Sequence, residues 1–123
     1  MEKLTPQEEE LMQIIWQQNG GIIRHFIPKM ADPETPYTTV ASIAKNLQHK
    51  KYVTSEMFGN TYRYTPQISE NDYKAMFMSG FIGNYFENSY KEMVSFFAKK
   101  QKISAEELQE IIKLIEEGDE VSK

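Results

Sequence analysis

Residues 37–64 constrain this chain more than any other stretch. Val40, Ile43, Ala44 and Leu47 recur at i, i+3, i+4 and i+7, the single buried stripe of an amphipathic helix running from about Tyr37 to His49. The opposite side of that helix would carry Thr38, Thr39, Ser42, Lys45, Asn46 and His49, with no carboxylate among them. Directly afterwards, residues 52–57 and 61–65 are rich in β-branched and aromatic side chains. Phe58-Gly59-Asn60 supplies a bend between them and Pro66 a stop, which predicts two strands joined as a hairpin.

The flanks complete a compact unit. Leu4-Thr5-Pro6-Gln7-Glu8 predicts a helix start, with Thr5 as N-cap, Pro6 in the first helical position and Glu8 closing a capping box. Glu8, Glu9 and Glu10 suit the positive end of the helix dipole. Leu11, Met12, Ile14, Ile15 and Trp16 would face the core, and Asn19-Gly20-Gly21 ends the helix. Ile22, Ile23, Phe26, Ile27 and Met30 suggest a short second helix with an irregularity at Pro28, and Asp32-Pro33-Glu34-Thr35-Pro36 a turn. Three helices and a hairpin form the layout of a winged helix-turn-helix, expected over residues 1–68.

Residues 69–123 are expected to form a separate helical domain. Ser69-Glu70-Asn71-Asp72 caps a long helix with Tyr73, Met76, Phe77, Gly80, Phe81 and Tyr85 at helical spacing. A second helix holds Tyr90, Met93, Val94 and Phe97. A third opens on the capping box Ser104-Ala105-Glu106-Glu107, presents Leu108, Ile111, Ile112 and Ile115, and is expected to close at Gly118. The fold class is therefore mainly α with a small β-hairpin. The aromatic and Met surface of the first of these helices exceeds what a small winged helix covers, so the tail is expected to offer an association surface through Tyr73, Met76, Phe77, Phe81, Tyr85, Met93, Phe97, Leu108, Ile111, Ile112 and Ile115. The alternative is that the tail folds back on its own winged helix.

The charge distribution says where an anion would bind. The 123 residues carry a net charge of −4. Between Tyr37 and Arg63, however, Lys45, Lys50, Lys51 and Arg63 face Glu56 alone, a net of +3, whereas seven lysines and eleven acids follow from Ser69 onward. In a winged helix the third helix enters the major groove and the wing touches the flanking backbone, and a carboxylate on that helix would meet phosphates. Thr38, Thr39 and Ser42 are placed to donate to phosphates or base edges, with Lys45, Asn46, His49, Lys50 and Lys51 beside them and Asn60 and Arg63 on the wing. Double-stranded DNA is the partner these residues fit, with a protein-binding winged helix as the alternative.

Other chemistry has little support. There is no cysteine, which removes disulfides, thiolate metal sites and a cysteine nucleophile. His25 and His49 lack partners at ligand spacing, and no nucleophile elbow, phosphate loop or zinc motif occurs, so no catalytic residue, metal or cofactor is expected. No apolar run reaches the ~20 residues a membrane helix needs, and the N-terminus lacks a secretory layout, so a cytoplasmic protein without membrane contact is expected.

The pattern resembles the penicillinase-repressor (BlaI/MecI) family. The resemblance rests on Leu4-Thr5-Pro6-Gln7-Glu8, Trp16, Pro36-Tyr37-Thr38-Thr39-Val40 with Leu47 and Lys50, and Gly59-Asn60-Thr61-Tyr62-Arg63-Tyr64-Thr65-Pro66, in order from residue 4 to about 117. It implies a homodimeric repressor on a palindromic, inverted-repeat operator, dimerised by the helices after the wing. Family members commonly carry arginine where this chain has Asn46, glycine at Lys51 and arginine at Asn60. In antibiotic-responsive members a membrane-embedded sensor protease partners the repressor and triggers cleavage at an Asn-Phe bond. Phe96-Phe97 stands there in this chain, so that cleavage is not carried over. The cysteine cluster of copper-responsive relatives is absent as well.

Overall fold

A computed structural model describes residues 1–121, with side chains up to Gly118. The helices are α1 (Pro6–Gln18), α2 (Ile23–Phe26), α3 (Tyr37–His49), α4 (Glu70–Phe86), α5 (Tyr90–Lys99) and α6 (Ala105–Val121), and strands β1 (Val53–Phe58) and β2 (Thr61–Pro66) lie between α3 and α4. The arrangement is mainly α with one two-stranded antiparallel hairpin, as the residue pattern predicts. Two compact units result, one ending at Ala75 and one beginning at Met76.

In the first unit the capping box of α1 forms as read: Thr5 Oγ1 accepts from the Glu8 amide, and the Glu8 carboxylate accepts from the Thr5 amide. Leu11, Met12, Ile14 and Ile15 of α1 are buried with Ile23 and Phe26 of α2 and with Val40, Ile43, Ala44 and Leu47 of α3. Val53 and Tyr64 close that core from the hairpin. The second helix is a single turn, after which Ile27–Lys29 tightens into a 3-10 turn at Pro28 because proline offers no amide for the α pattern.

The first strand is shifted by one residue from the stretch the sequence suggests, and Pro66, expected as a stop, is the last residue of the second. Phe58 pairs with Thr61, leaving Gly59-Asn60 as a two-residue loop. Gly59 takes φ 61°, placing glycine at the first position of a tight hairpin turn. The inner edge of the wing has a third contributor that periodicity does not reveal. Gly21 exchanges both backbone hydrogen bonds with Tyr64, at 2.9 and 2.7 Å. Gly20 permits this, since a Cβ there would stand 2.6 Å from the Tyr64 carbonyl oxygen.

The first unit runs into α4, as far as Ala75. Ser69 caps that helix by accepting from the Asp72 amide, as expected. Tyr73 nevertheless belongs to the first unit. It is buried, its ring lies 5.4 Å from Trp16 and 5.8 Å from Tyr52, and its hydroxyl donates to Glu9 at 2.7 Å. Burial, reinforced by that acceptor, pushes the hydroxyl well above the ordinary phenol range. Tyr73 is thus packed into the core of the winged helix.

In the second unit, Ser89 caps α5 and Ser104 with Glu107 forms the expected capping box of α6. Phe81, Phe86, Phe96 and Phe97 make a chain of tilted and edge-on ring contacts. Gly118 does not end α6, which runs on to Val121; an interior glycine costs about 1 kcal/mol but breaks no hydrogen bond. Residues 122 and 123 of the expected C-terminal domain lie outside the described residues. No described helix is long and apolar enough to cross a membrane.

Candidate nucleic-acid interface

The surface in question is built on α3. Its buried stripe fixes the rotation of the helix, so Thr38, Thr39, Ser42, Lys45, Asn46 and His49 are all exposed. Pro36 provides the cap without a side-chain hydrogen bond, and no acid lies in the first turn. The positive end of the helix dipole is therefore left uncompensated beside Thr38 and Thr39.

The end of α3 separates two lysines that look equivalent in sequence. Lys50 turns inward. Its ammonium donates to Glu8 Oε1 at 2.6 Å and to the Lys3 carbonyl at 2.9 Å, with 18% of the side chain exposed. Burial alone would raise the Glu8 carboxyl, but the Lys50 hydrogen bond, the Thr5 amide and the Lys50 charge outweigh it and hold the group below the ordinary glutamate value. Lys50 is thus committed to closing the N-terminal segment over the domain, and the expected role in anion contact does not fit its geometry.

Lys51 is exposed and sits in the left-handed region at φ 71°. The reason is the helix stop: Tyr52 N–H donates to the Leu47 carbonyl and Lys51 N–H to the Gln48 carbonyl, the paired bonds of a Schellman motif. That position suits glycine, and a lysine there carries a conformational cost of about 1–2 kcal/mol.

On the wing, Asn60 is exposed at the loop. Arg63 lies across from Glu56 in the strand register, and its guanidinium stacks 5.7 Å from the centre of the Phe58 ring. Arg63 and Glu56 therefore share the outer face of the hairpin. Sequence reasoning assigned no binding role to Tyr37, Met57 or Tyr62, each at least half exposed. Alternation along the strands was the signal that could have found the latter two. No cluster of three potential metal ligands occurs among the described residues.

A helix with an acid-free exposed face, preceded by two helices and followed by a two-stranded wing, defines a winged helix-turn-helix protein. The penicillinase repressor family model matches residues 4–117, and the chain belongs to that family of transcriptional regulators. It is 24% identical to the penicillinase repressor of Bacillus licheniformis over 116 residues, covering 94% of this chain and 91% of that protein. It is 20% identical to the methicillin resistance regulatory protein MecI of Staphylococcus aureus (strain N315) over 110 residues, covering 89% of each. A Staphylococcus aureus penicillinase repressor is 22% identical over 110 residues, covering 89% of this chain and 87% of that protein.

Proposed function

We propose that the chain represses transcription as a homodimer bound to an inverted-repeat DNA operator, with α3 in the major groove. The observation that carries this reading is the exposed face of α3, where hydroxyl, amide and cationic groups occur without a carboxylate. Thr38, Thr39, Ser42 and Asn46 read base edges or phosphates, Lys45, Lys51 and Arg63 supply charge, and His49 and Asn60 border the contact. Lys51, exposed just past the end of α3, adds a cation beside that face.

Dimerisation rests on the second unit. Among its described side chains only Ile82 is buried, while Met76, Phe77, Tyr85, Ile111, Ile112 and Ile115 are exposed, and Phe81, Met93, Phe97 and Leu108 are half-buried. Each large apolar side chain covered by a partner contributes roughly 1.5–3 kcal/mol. A second copy supplies such a cover in a two-fold manner, setting two α3 helices against half-sites ~34 Å apart. Relief of repression is assigned to no membrane protease, since Phe96-Phe97 lacks the asparagine of the cleaved bond.

The test is selection of duplexes from a random library, followed by a gel shift at several salt concentrations. A selected inverted repeat whose affinity falls steeply with salt is expected, and Lys45→Glu abolishes the shift while light scattering still reports a dimer. A monomer that enriches no DNA refutes the reading and favours a protein-interaction module.

A further inference from the structure

A cleft of about 390 Å3 opens at the base of the hairpin, between the end of α1, the end of β2 and the start of α4. None of its lining residues belongs to α3 or to the loop of the wing. The packing of the domain sets its walls. The Trp16 ring stands 5.4 Å from the buried Tyr73 ring, and its Nε1–H donates to the Ile68 carbonyl at 2.9 Å. Where α1 meets β2, a Cβ at Gly20 would touch Thr65 and Pro66, so that wall is close-packed. Gln67 is held by its backbone amide, which donates to the Tyr52 carbonyl at 2.8 Å. A site whose walls stand before the ligand arrives loses little to ordering on binding.

The lining selects a class of ligand. The half-buried Trp16 indole offers a flat apolar surface in a fixed orientation. Glu70 is the sole charged residue of the lining, and its pair with Lys74 is loose, at 3.7 Å with both side chains in solvent. No lysine or arginine is among the described lining residues, so an anion finds no counter-charge there. The Asn19 and Gln67 side-chain amides and the Thr65 hydroxyl make no hydrogen bond to the protein among the described residues, which leaves them to orient a bound molecule. An aromatic ring suits the indole and an ammonium suits the carboxylate. We propose that this cleft binds a small aromatic amine, with its ring on Trp16 and its ammonium on Glu70, and that the bound amine shifts the affinity of α3 for DNA. Tyr52 provides the link: its carbonyl holds Gln67, and its amide donates to Leu47 at the stop of α3. Binding of the amine stands on the cleft itself, whereas the shift rests on the DNA-binding reading above.

The test uses the full chain with phenylethylamine as the probe and phenylacetate and propylamine as controls. Trp16 is the sole tryptophan, so its emission reads the cleft directly. A saturable change at millimolar phenylethylamine is expected. Phenylacetate, an anion of similar shape, and propylamine, which lacks the ring, are each expected to bind about fivefold more weakly or worse. Glu70→Gln weakens the amine about fivefold, and the melting temperature of the free variant checks its fold. An emission that the amine leaves unmoved overturns the inference, as does equal binding of either control or a folded Glu70→Gln variant that binds like the parent. With a duplex selected from a random library, saturating amine is expected to change affinity about fivefold, and the duplex to change amine affinity by the same factor. A bound amine that leaves duplex affinity unchanged overturns the link to DNA. A chain that selects no duplex overturns the repressor reading, while the emission titration still decides the cleft, so the two failures are distinguishable.

Discussion

Replacing Lys51 by glycine separates stability from DNA binding in opposite directions. Lys51 holds φ 71° at the Schellman stop of α3, and its side chain makes no hydrogen bond or ion pair among the described residues. A left-handed conformation costs a non-glycine residue about 1–2 kcal/mol. Glycine removes that cost and returns about 0.4–1 kcal/mol through the greater freedom of the unfolded chain. The net is a stabilisation of about 0.5–1 kcal/mol, or a rise in melting temperature of about 2–4 °C. The same change deletes one exposed cation per protomer beside the α3 face. If that cation meets a phosphate, the slope of log K against log salt falls by about 0.9 per protomer, or about 2 for a dimer. Thermal melting by circular dichroism and fluorescence anisotropy with a selected duplex across a salt series read the two effects. A Lys51→Gly protein that melts lower than its parent refutes the strain argument, and an unchanged salt slope refutes the phosphate contact.

Lys50→Gln is expected to show the reverse pattern: a loss of about 1.5–3 kcal/mol from the charge-assisted bond to buried Glu8, with the salt slope of DNA binding intact. Gly20→Ala and Gly59→Ala share a positive φ but differ in surroundings. The first adds a contact of 2.6 Å to the Tyr64 carbonyl and is expected to cost about 3 kcal/mol or more, the second about 1 kcal/mol in denaturant melts. Because Glu8 is held below its unfolded value, its contribution is complete above a pH of about 4.3 and is lost as pH falls from there through the folded-state value. The melting-temperature gap between the parent and Glu8→Gln should therefore narrow on acidification, and a gap independent of pH would contradict the linkage.

What the sequence by itself determined was local. The α1 and α6 capping boxes and the α3 stripe depend on residues within one or two turns of each other and formed where the pattern placed them, while the bend read at Phe58-Gly59-Asn60 tightened to Gly59-Asn60. The acid-free face of α3 followed automatically, because burying one side of a helix decides which side chains remain outside. The tertiary structure decided matters that hinge on residues far apart in the chain. Glu8 captures Lys50 across 42 positions and Glu9 captures Tyr73 across 64, so one apparent DNA contact becomes a structural pair and one apparent dimer residue becomes core. The Gly21 bridge to Tyr64 joins segments whose own patterns do not mention each other. Adjacent lysines at 50 and 51 look alike in a charge count, yet Lys50 turns inward to Glu8 while Lys51, itself in the left-handed stop, stays in solvent. Helical and strand periods specify which face of an element is apolar, whereas the pairing of a given polar atom depends on which element packs beside it.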